Sequence, residues 1–331
     1  MKETRERSAR LMSKVIVWDN HACLPHSPDS ACGEALKRYA VAGITCVHVN
    51  IGDSDLPLDR QLRIAASYRR VIEQNPERYL LVSCIDDIEL AKDTDRLAIC
   101  FDVEGLHAMG RDLSVLQQYR NIGVRWILLA YNRANAVGAG CHDLEDAGLT
   151  SIGLEVIMEM DRLGIIKDCS HTGYRTSRDV LEASTLPVNF SHSNPRALVD
   201  HPRNIPDDLI LACARSGGVV GINGIGLFLG RNDVRTENVV RHIDYVAGLV
   251  GPEHVGLGLD FVVDDGSDPL DVSASPHFWP PDQGYEPGIK MVEPERIADI
   301  ADQLLKRDYS ERDVTGILGG NFLRVARQVW K

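Results

Sequence analysis

Residues 152–171 read IGLEVIMEMDRLGIIKDCSH, and this stretch contains the unit whose repetition predicts the fold of the chain. Over 152–163 the apolar residues recur at helical spacing and share one face of a predicted helix. The apolar run at 165–169 follows directly, has the length of a strand and leads into a Ser-His pair. A helix that runs straight into a buried strand is the building unit of α/β folds.

Seven further apolar runs have strand length, and helical patterns lie between them. They lack a clean alternation of apolar and polar residues, which is typical of parallel strands that are covered on both faces. The runs lie at 14–18, 44–50, 97–103, 124–130, 187–191, 218–223 and 255–260, and a shorter run at 79–84 is predicted as a side strand.

Eight strand–helix repeats predict an α/β fold of one domain, a (β/α)8 barrel of the TIM type. We place the barrel at 14–331, after an N-terminal extension at 1–13. An open doubly wound sheet is the alternative, but no GxGxxG or GxxxxGK[ST] motif follows a strand. In a barrel, the irregular segment 264–293 is the loop after strand eight, where it forms either a lid or pocket wall or an inert insertion.

The composition and the charge exclude several classes of protein. The 331 residues are 44% hydrophobic and 25% charged, which is typical of a globular chain. The 36 Lys and Arg residues against 48 Asp and Glu residues give a net charge of −12, and without a basic stripe this argues against nucleic-acid binding. The charged N-terminus and the lack of an apolar run of about 18 residues predict a cytoplasmic protein with no membrane partner.

Residues that can bind a metal or act on a substrate follow the predicted strands. Barrel enzymes build their sites at the carboxyl ends of the strands. These positions hold His21, Cys23, Glu104, Tyr131, His171, His192, Asn223 and Asp260. A lone histidine at a strand end is more often structural, but imidazole nitrogens and carboxylate oxygens together are what Zn²⁺ takes as ligands. The combination therefore predicts a metal site.

Eight stretches of the sequence resemble the membrane (renal) dipeptidases, a branch of the amidohydrolase superfamily, and keep that family's order from about 14 to 328. The stretches are GVRWILLAYN (123–132), GLTSIGLEVIMEMDRLG (148–164), KDCSH (167–171), NFSHSNPRAL (189–198), RNIPD (203–207), GGVVGI (217–222), GLGLDF (256–261) and GILGGNFLRV (316–325). The resemblance implies a (β/α)8 barrel with two zinc ions at the carboxyl ends of the strands.

The resemblance also implies which residues hold the metal. Glu104 would bridge the two ions, His21 would bind one of them, and His171 and His192 would bind the other. This chain departs from the family's His-x-Asp motif, because Cys23 occupies the position of the aspartate that completes the first metal site in the family. A thiolate is a legitimate zinc ligand, whereas a buried thiol that binds nothing would leave one zinc ion, the outcome that the sequence favours. We expect one or two zinc ions per chain.

Four residues are implied or expected to act on the substrate. By resemblance, Asp260 would carry a proton and Arg203 would hold the substrate carboxylate, for which a planar guanidinium is well suited. Tyr131 replaces a histidine of the family, and it can donate a hydrogen bond to a carbonyl oxygen but cannot be a cation at neutral pH. Asn223 is expected to line the pocket.

The predicted function is a zinc-dependent hydrolase that cleaves the amide bond of a dipeptide or of a small N-acyl or modified amino acid with a free carboxylate. One alternative is a non-peptidase amidohydrolase or lactonase whose pocket is re-specified at Cys23 and Tyr131. Another is a catalytically degenerate metal-binding barrel. Small molecules are the expected partners, and the sequence leaves open whether the chain forms a homodimer.

Overall fold

Parallel strands curl into a barrel in the computed structural model, which describes residues 2–26, 29–53, 56–263 and 275–331. The strands are β1 (Trp18–Cys23), β2 (Cys46–Asn50), β3 (Tyr79–Leu81), β4 (Leu97–Glu104), β5 (Val124–Leu128), β6 (Ile166–Asp168), β7 (Val188–Asn189), β8 (Val220–Ile222), β9 (Val255–Leu257) and β10 (Phe261–Val262). Hydrogen bonds join them in the order β10-β1-β2-β4-β5-β6-β7, and β8 pairs with β9. The short strand β3 pairs with the first half of β4, as the side strand that the sequence predicts.

Helices alternate with these strands around the outside of the barrel. They are α1 (Lys2–Met12), α2 (Asp29–Val41), α3 (Leu58–Gln74), α4 (Ile85–Asp93), α5 (Ser114–Ile122), α6 (Ser151–Leu163), α7 (Tyr174–Ala183), α8 (Asp207–Arg215), α9 (Gly226–Leu229), α10 (Thr236–Val250), α11 (Ile297–Lys306), α12 (Glu311–Thr315) and α13 (Asn321–Val329). The predicted (β/α)8 barrel is therefore confirmed.

The opening stretch of the sequence shows how local signals set these elements. The Thr150 side chain accepts a hydrogen bond from the Gly153 backbone N–H and so caps the start of α6. Gly164 ends the helix in the left-handed conformation, at a φ of +68°. The chain then turns directly into β6, which delivers Ser170 and His171 to the mouth of the barrel.

Two predicted strands need correction. The first runs over Trp18–Cys23 and not over 14–18, so His21 and Cys23 lie within β1 and not after it. The strand predicted at 255–260 ends at Leu257 as β9, which pairs with β8, and a separate strand, β10, begins at Phe261 and pairs with β1 through Ala22. An isolated bridge between Phe190 and Val220 joins the β7 side to β8 and completes the circle.

The segment predicted as an N-terminal extension forms α1. Its Leu11 and Met12 are buried in the same hydrophobic cluster as the barrel helices. The boundary at 13/14 stays a prediction, as do the cytoplasmic location and the homodimer. Among the described helices, none combines the length and the apolar character needed to cross a bilayer.

Candidate metal centre

Glu104, the last residue of β4, lies at the centre of three imidazole rings. Its Oε1 atom is 3.1 Å from Nε2 of His192, 3.4 Å from Nε2 of His171 and 3.5 Å from Nε2 of His21. The side chain is buried, and Oε1 has no hydrogen-bond partner. Because buried polar atoms are normally paired, this oxygen and the three nitrogens around it fit a bound cation.

The three histidines point Nε2 inward because other residues engage Nδ1. His171 Nδ1 lies 2.7 Å from Oδ1 of Asn132, whose Nδ2 donates to the Phe278 carbonyl, so the amide oxygen faces the ring. His21 Nδ1 lies 3.3 Å from a carboxylate oxygen of Asp102. Both partners accept, so Nδ1 carries a proton and Nε2 is the nitrogen left to face a metal ion.

His192 Nδ1 lies 2.7 Å from the Ser191 hydroxyl, so this ring is also engaged at Nδ1 and turns Nε2 toward the centre. The sequence analysis missed Asn132, Asp102 and Ser191 as orienting residues. A signal existed for Asp102, which precedes Glu104 by two positions and therefore points to the same face of β4. No such signal identifies Asn132 or Ser191 without the fold.

Burial tunes the protonation of these ligands. It lowers the pKa of His171 and of His192 well below the usual range, so both rings are neutral, the form that binds metal. Burial also lowers the pKa of His21, but the nearby carboxylates of Glu104 and Asp102 more than offset this and raise it well above its usual value. Burial raises the pKa of Glu104 to about 7, so a cation would stabilise its ionised form.

Asp168 fixes the two Ser-His turns that follow β6 and β7. Its carboxylate accepts hydrogen bonds from the backbone N–H groups of Ser170, at 2.8 Å, and of Ser191, at 2.6 Å. One carboxylate therefore sets the spacing of two neighbouring strand ends. As a result, Nε2 of His171 and Nε2 of His192 lie 3.0 Å apart.

Cys23 and Asp260 lie on the His21 side of the centre. Cys23 Sγ is 3.6 Å from His21 Nε2 and 3.8 Å from Asp260 Oδ1, and Oδ1 is 3.4 Å from the same nitrogen. Asn223 Nδ2 donates to the other oxygen of Asp260 at 2.8 Å. Asn223 thus orients Asp260 instead of only lining the pocket. Burial raises the pKa of the Cys23 thiol above its usual range.

Three residues at this centre have a left-handed backbone conformation. Asn132, His171 and Asp260 have positive φ values of +55°, +59° and +55°. Such conformations are costly for residues other than glycine and persist where the surrounding structure holds them. All three are placed where the chain leaves a strand and aims a polar side chain into the barrel mouth.

Arg203 is a buried cation without a carboxylate partner. It is 2% exposed, its Nη2 donates to the His192 carbonyl at 3.1 Å, and its guanidinium lies 5.2 Å from the centre of the Phe228 ring. Its Nε atom has no partner, and no ion pair to Arg203 is found in the described part of the chain. A buried guanidinium of this kind fits an anionic ligand.

Tyr131 stacks on His171, with ring centres 4.2 Å apart. The rings of Phe278 and Trp279 each lie 6.1 Å from the Tyr131 ring, so the described part of the segment 264–293 covers this side of the centre as a pocket wall. The part at 264–274 lies outside the described residues. Burial raises the pKa of Tyr131 well above its usual value, so the phenol is a neutral donor.

The predicted site residues therefore come together at one end of the barrel. His21, Cys23 and Glu104 form one group of candidate metal donors, and Glu104, His171 and His192 form another. Asp260 joins His21 and His192 in a third group. The roles assigned to these residues stay predictions.

Comparisons with known proteins agree with this arrangement. Residues 6–278 match the model of the membrane dipeptidase family, peptidase family M19. An uncharacterized dipeptidase of Schizosaccharomyces pombe is 33% identical over 273 residues, which are 80% of this chain and 60% of that protein. The dipeptidase aclJ of Aspergillus oryzae is 32% identical over 268 residues, 78% of this chain and 58% of that protein. The chain thus spans three fifths or less of the length of these curated relatives.

A solved structure of similar size also matches. The amidohydrolase from Pseudomonas aeruginosa has a TM-score of 0.87 and 28% sequence identity, and the match covers 98% of this chain and 99% of that one. The fold of nearly the whole chain is therefore shared with a solved amidohydrolase structure.

Proposed function

The chain belongs to the membrane dipeptidase family, and from this premise we propose that it is a metal-dependent hydrolase of dipeptides or small N-acyl amino acids that carry a free carboxylate. The observation that carries the proposal is the orphaned Oε1 of Glu104, which faces three imidazole Nε2 atoms. A substrate with an acyl-amide bond and a carboxylate would match a metal centre beside a buried guanidinium, that of Arg203, which has no carboxylate partner among the described residues.

The donors fit zinc, which binds imidazole nitrogen and carboxylate oxygen in sites of low coordination number. Glu104, His171 and His192 would hold one ion, and His21 with Glu104 would contribute to a second. When bound, zinc acts as a Lewis acid on a carbonyl group and lowers the pKa of a water molecule to about 7. The protein's own part is to hold these ligands, to bind the substrate and to move the proton.

Asp260 is proposed to move that proton. In amide hydrolysis the oxygen of water bonds to the acyl carbon, the carbon–nitrogen bond breaks, and the leaving nitrogen must gain a proton. Asp260 is held by Asn223 and remains 14% exposed, so it can reach both the centre and solvent. It accepts the proton of the attacking water and delivers it to the nitrogen.

Arg203 and Tyr131 are proposed to bind the substrate at its two polar ends. The unpaired Nε of Arg203 is available to a carboxylate, while Nη2 stays bound to the His192 backbone. Tyr131 is a neutral phenol stacked beside a metal ligand, so it can donate to the carbonyl oxygen as negative charge develops there.

The test is a substrate panel with zinc-loaded protein. It contains dipeptides, N-acyl amino acids, the same compounds with the carboxylate blocked as an amide, and lactones. We expect turnover of the free-carboxylate amides, little turnover of the blocked ones, and none after metal is stripped. Turnover of lactones alone would favour the non-peptidase alternative, and a zinc-loaded protein that turns over nothing would favour a degenerate binding barrel.

Arg203→Lys should raise KM for a carboxylate substrate by about tenfold or more, since a charge-assisted hydrogen bond contributes roughly 1.5–3 kcal/mol and an ammonium cannot reproduce a two-pronged contact. The measurement is KM for one dipeptide and for its amide-blocked form, in native and variant protein. Blocking the substrate carboxylate should raise KM strongly for the native enzyme and only slightly for the variant. The exposed Arg60 supplies a control, Arg60→Lys, which should leave KM unchanged. An equal rise in KM on blocking in both proteins would show that Arg203 does not contact the carboxylate.

A further inference from the structure

We propose that Cys23 is a thiolate ligand of the second metal ion, together with His21 and Glu104, so that the two metal positions differ in their chemistry. The inference rests on the proposed function and deepens it. It reverses the choice that the sequence alone favours, in which Cys23 binds nothing.

The spacing of the donor atoms is the first argument. Zn–S bonds of about 2.3 Å and Zn–N or Zn–O bonds of about 2.1 Å in a tetrahedral site place sulfur about 3.6 Å from nitrogen and nitrogen about 3.4 Å from oxygen. Cys23 Sγ lies 3.6 Å from His21 Nε2, and the same nitrogen lies 3.5 Å from Glu104 Oε1. Ligand atoms of all three residues lie within 4.8 Å of one another.

The environment of His21 Nε2 is the second argument. Asp102 engages Nδ1, so Nε2 points into the centre. The three groups around Nε2 are the Cys23 sulfur, the Glu104 carboxylate and the Asp260 carboxylate, at 3.4 to 3.6 Å. All three carry negative charge or can do so, and one of them, Glu104 Oε1, is buried without a partner. A cation among these four groups would satisfy them together.

Cys141 shows that proximity alone does not give this arrangement. It is half-buried like Cys23 and lies near His171 in the fold, but its sulfur donates to the amide oxygen of Asn132 at 3.3 Å. It belongs to no group of candidate metal donors among the described residues. Cys23, by contrast, lies two positions after His21 on β1, so its side chain points to the same side of the strand as the imidazole.

A thiolate at one position makes the pair of ions unequal. Thiolate is a soft ligand that favours Zn²⁺ over Mg²⁺ or Mn²⁺. Binding replaces the S–H bond by an S–metal bond, and the proton leaves to solvent. The His171–His192 position, which has only nitrogen and oxygen donors, is left as the stronger Lewis acid.

The experiment is titration of the metal-free protein with Co²⁺, read by absorption. A cobalt–thiolate bond gives charge-transfer absorption in the near ultraviolet that nitrogen and oxygen donors do not give. We expect native protein to bind two Co²⁺ per chain, with this absorption saturating after one equivalent. Cys23→Ser should lose the absorption and one ion. Cys23→Asp should lose the absorption but keep two ions, because a carboxylate replaces the thiolate. The matched control, Cys141→Ser, should keep the absorption and both ions.

A second measurement does not depend on a variant that must fold. Alkylation of the native protein with excess reagent at alkaline pH, which draws out the thiolate of Cys23 despite its raised pKa, should label Cys23 in the metal-free form and not in the zinc-loaded form, as read by peptide mapping. Cys84, which is exposed, should be labelled equally in both. Bound Co²⁺ without charge-transfer absorption, or a Cys23 labelled alike with and without zinc, would overturn the inference. If zinc-dependent dipeptide turnover persists in that case, the proposed function stands; if turnover is also absent, both fail.

Discussion

Glu104→Gln is expected to remove nearly all activity and most of the metal. Its Oε1 atom lies within 3.5 Å of all three imidazole Nε2 atoms. An amide is neutral and is a poor ligand for two cations, so both positions are weakened at once. Removing only an outer partner of a metal ligand typically costs 10- to 100-fold, and we expect a loss in kcat/KM well above about 10²-fold for Glu104→Gln.

The measurement for Glu104 is kcat/KM together with zinc per chain by elemental analysis. Glu155 is exposed on α6, and Glu155→Gln is the matched control with no expected effect on either quantity. Thermal unfolding of the metal-free proteins separates metal loss from misfolding. A Glu104→Gln protein that keeps its zinc and its turnover would place the metal somewhere else in the molecule.

Asp260→Asn should lower kcat by about 10²-fold or more, the usual scale for general acid–base catalysis. The amide keeps the shape of the side chain and can still bond to Asn223, but it cannot accept the proton of the attacking water. Zinc content should change little, because Glu104 and the histidines remain. KM should also change little, since Arg203, and not Asp260, is proposed to bind the substrate carboxylate.

Asp93, which is exposed on α4, supplies the control for Asp260, and Asp93→Asn should behave as native protein. The decisive comparison is kcat at unchanged zinc content. If Asp260→Asn loses zinc in proportion to activity, Asp260 is a metal ligand and not a proton carrier. If kcat stays near normal, its role is structural.

The meeting of the polar side chains at the strand ends was predictable from the sequence, and the limits of the first strand were not. Parallel strands bring their carboxyl ends to one side of a barrel, so residues such as Glu104 and His192 could be placed together without coordinates. The search for apolar runs ended the first strand at Trp18 because polar residues follow. Asp19 and His21 are polar but fully buried inside the barrel, where Asp19 accepts a hydrogen bond from the Leu259 backbone N–H and His21 lies beside Glu104.

The orienting contacts depend on details that sequence patterns do not carry. Asn132 reaches His171 only because both residues adopt positive φ values, which a pattern of residue types does not predict. The bond from Asn223 to Asp260 requires the break between β9 and β10, and the sequence analysis treated that region as one strand.

The closure of the barrel between β1 and β10 has a consequence for folding order. Cys23 and Asp260 are 237 positions apart in the chain, yet they lie side by side once Ala22 pairs with Phe261. Contacts between distant segments are slow to form, because a long loop must close before they are made. The His21 side of the centre therefore assembles only when the two ends of the barrel meet. A metal ion that binds there would slow the unfolding of the finished barrel more than it would speed folding, so removal of the metal should shorten the lifetime of the folded protein and leave its folding rate nearly unchanged.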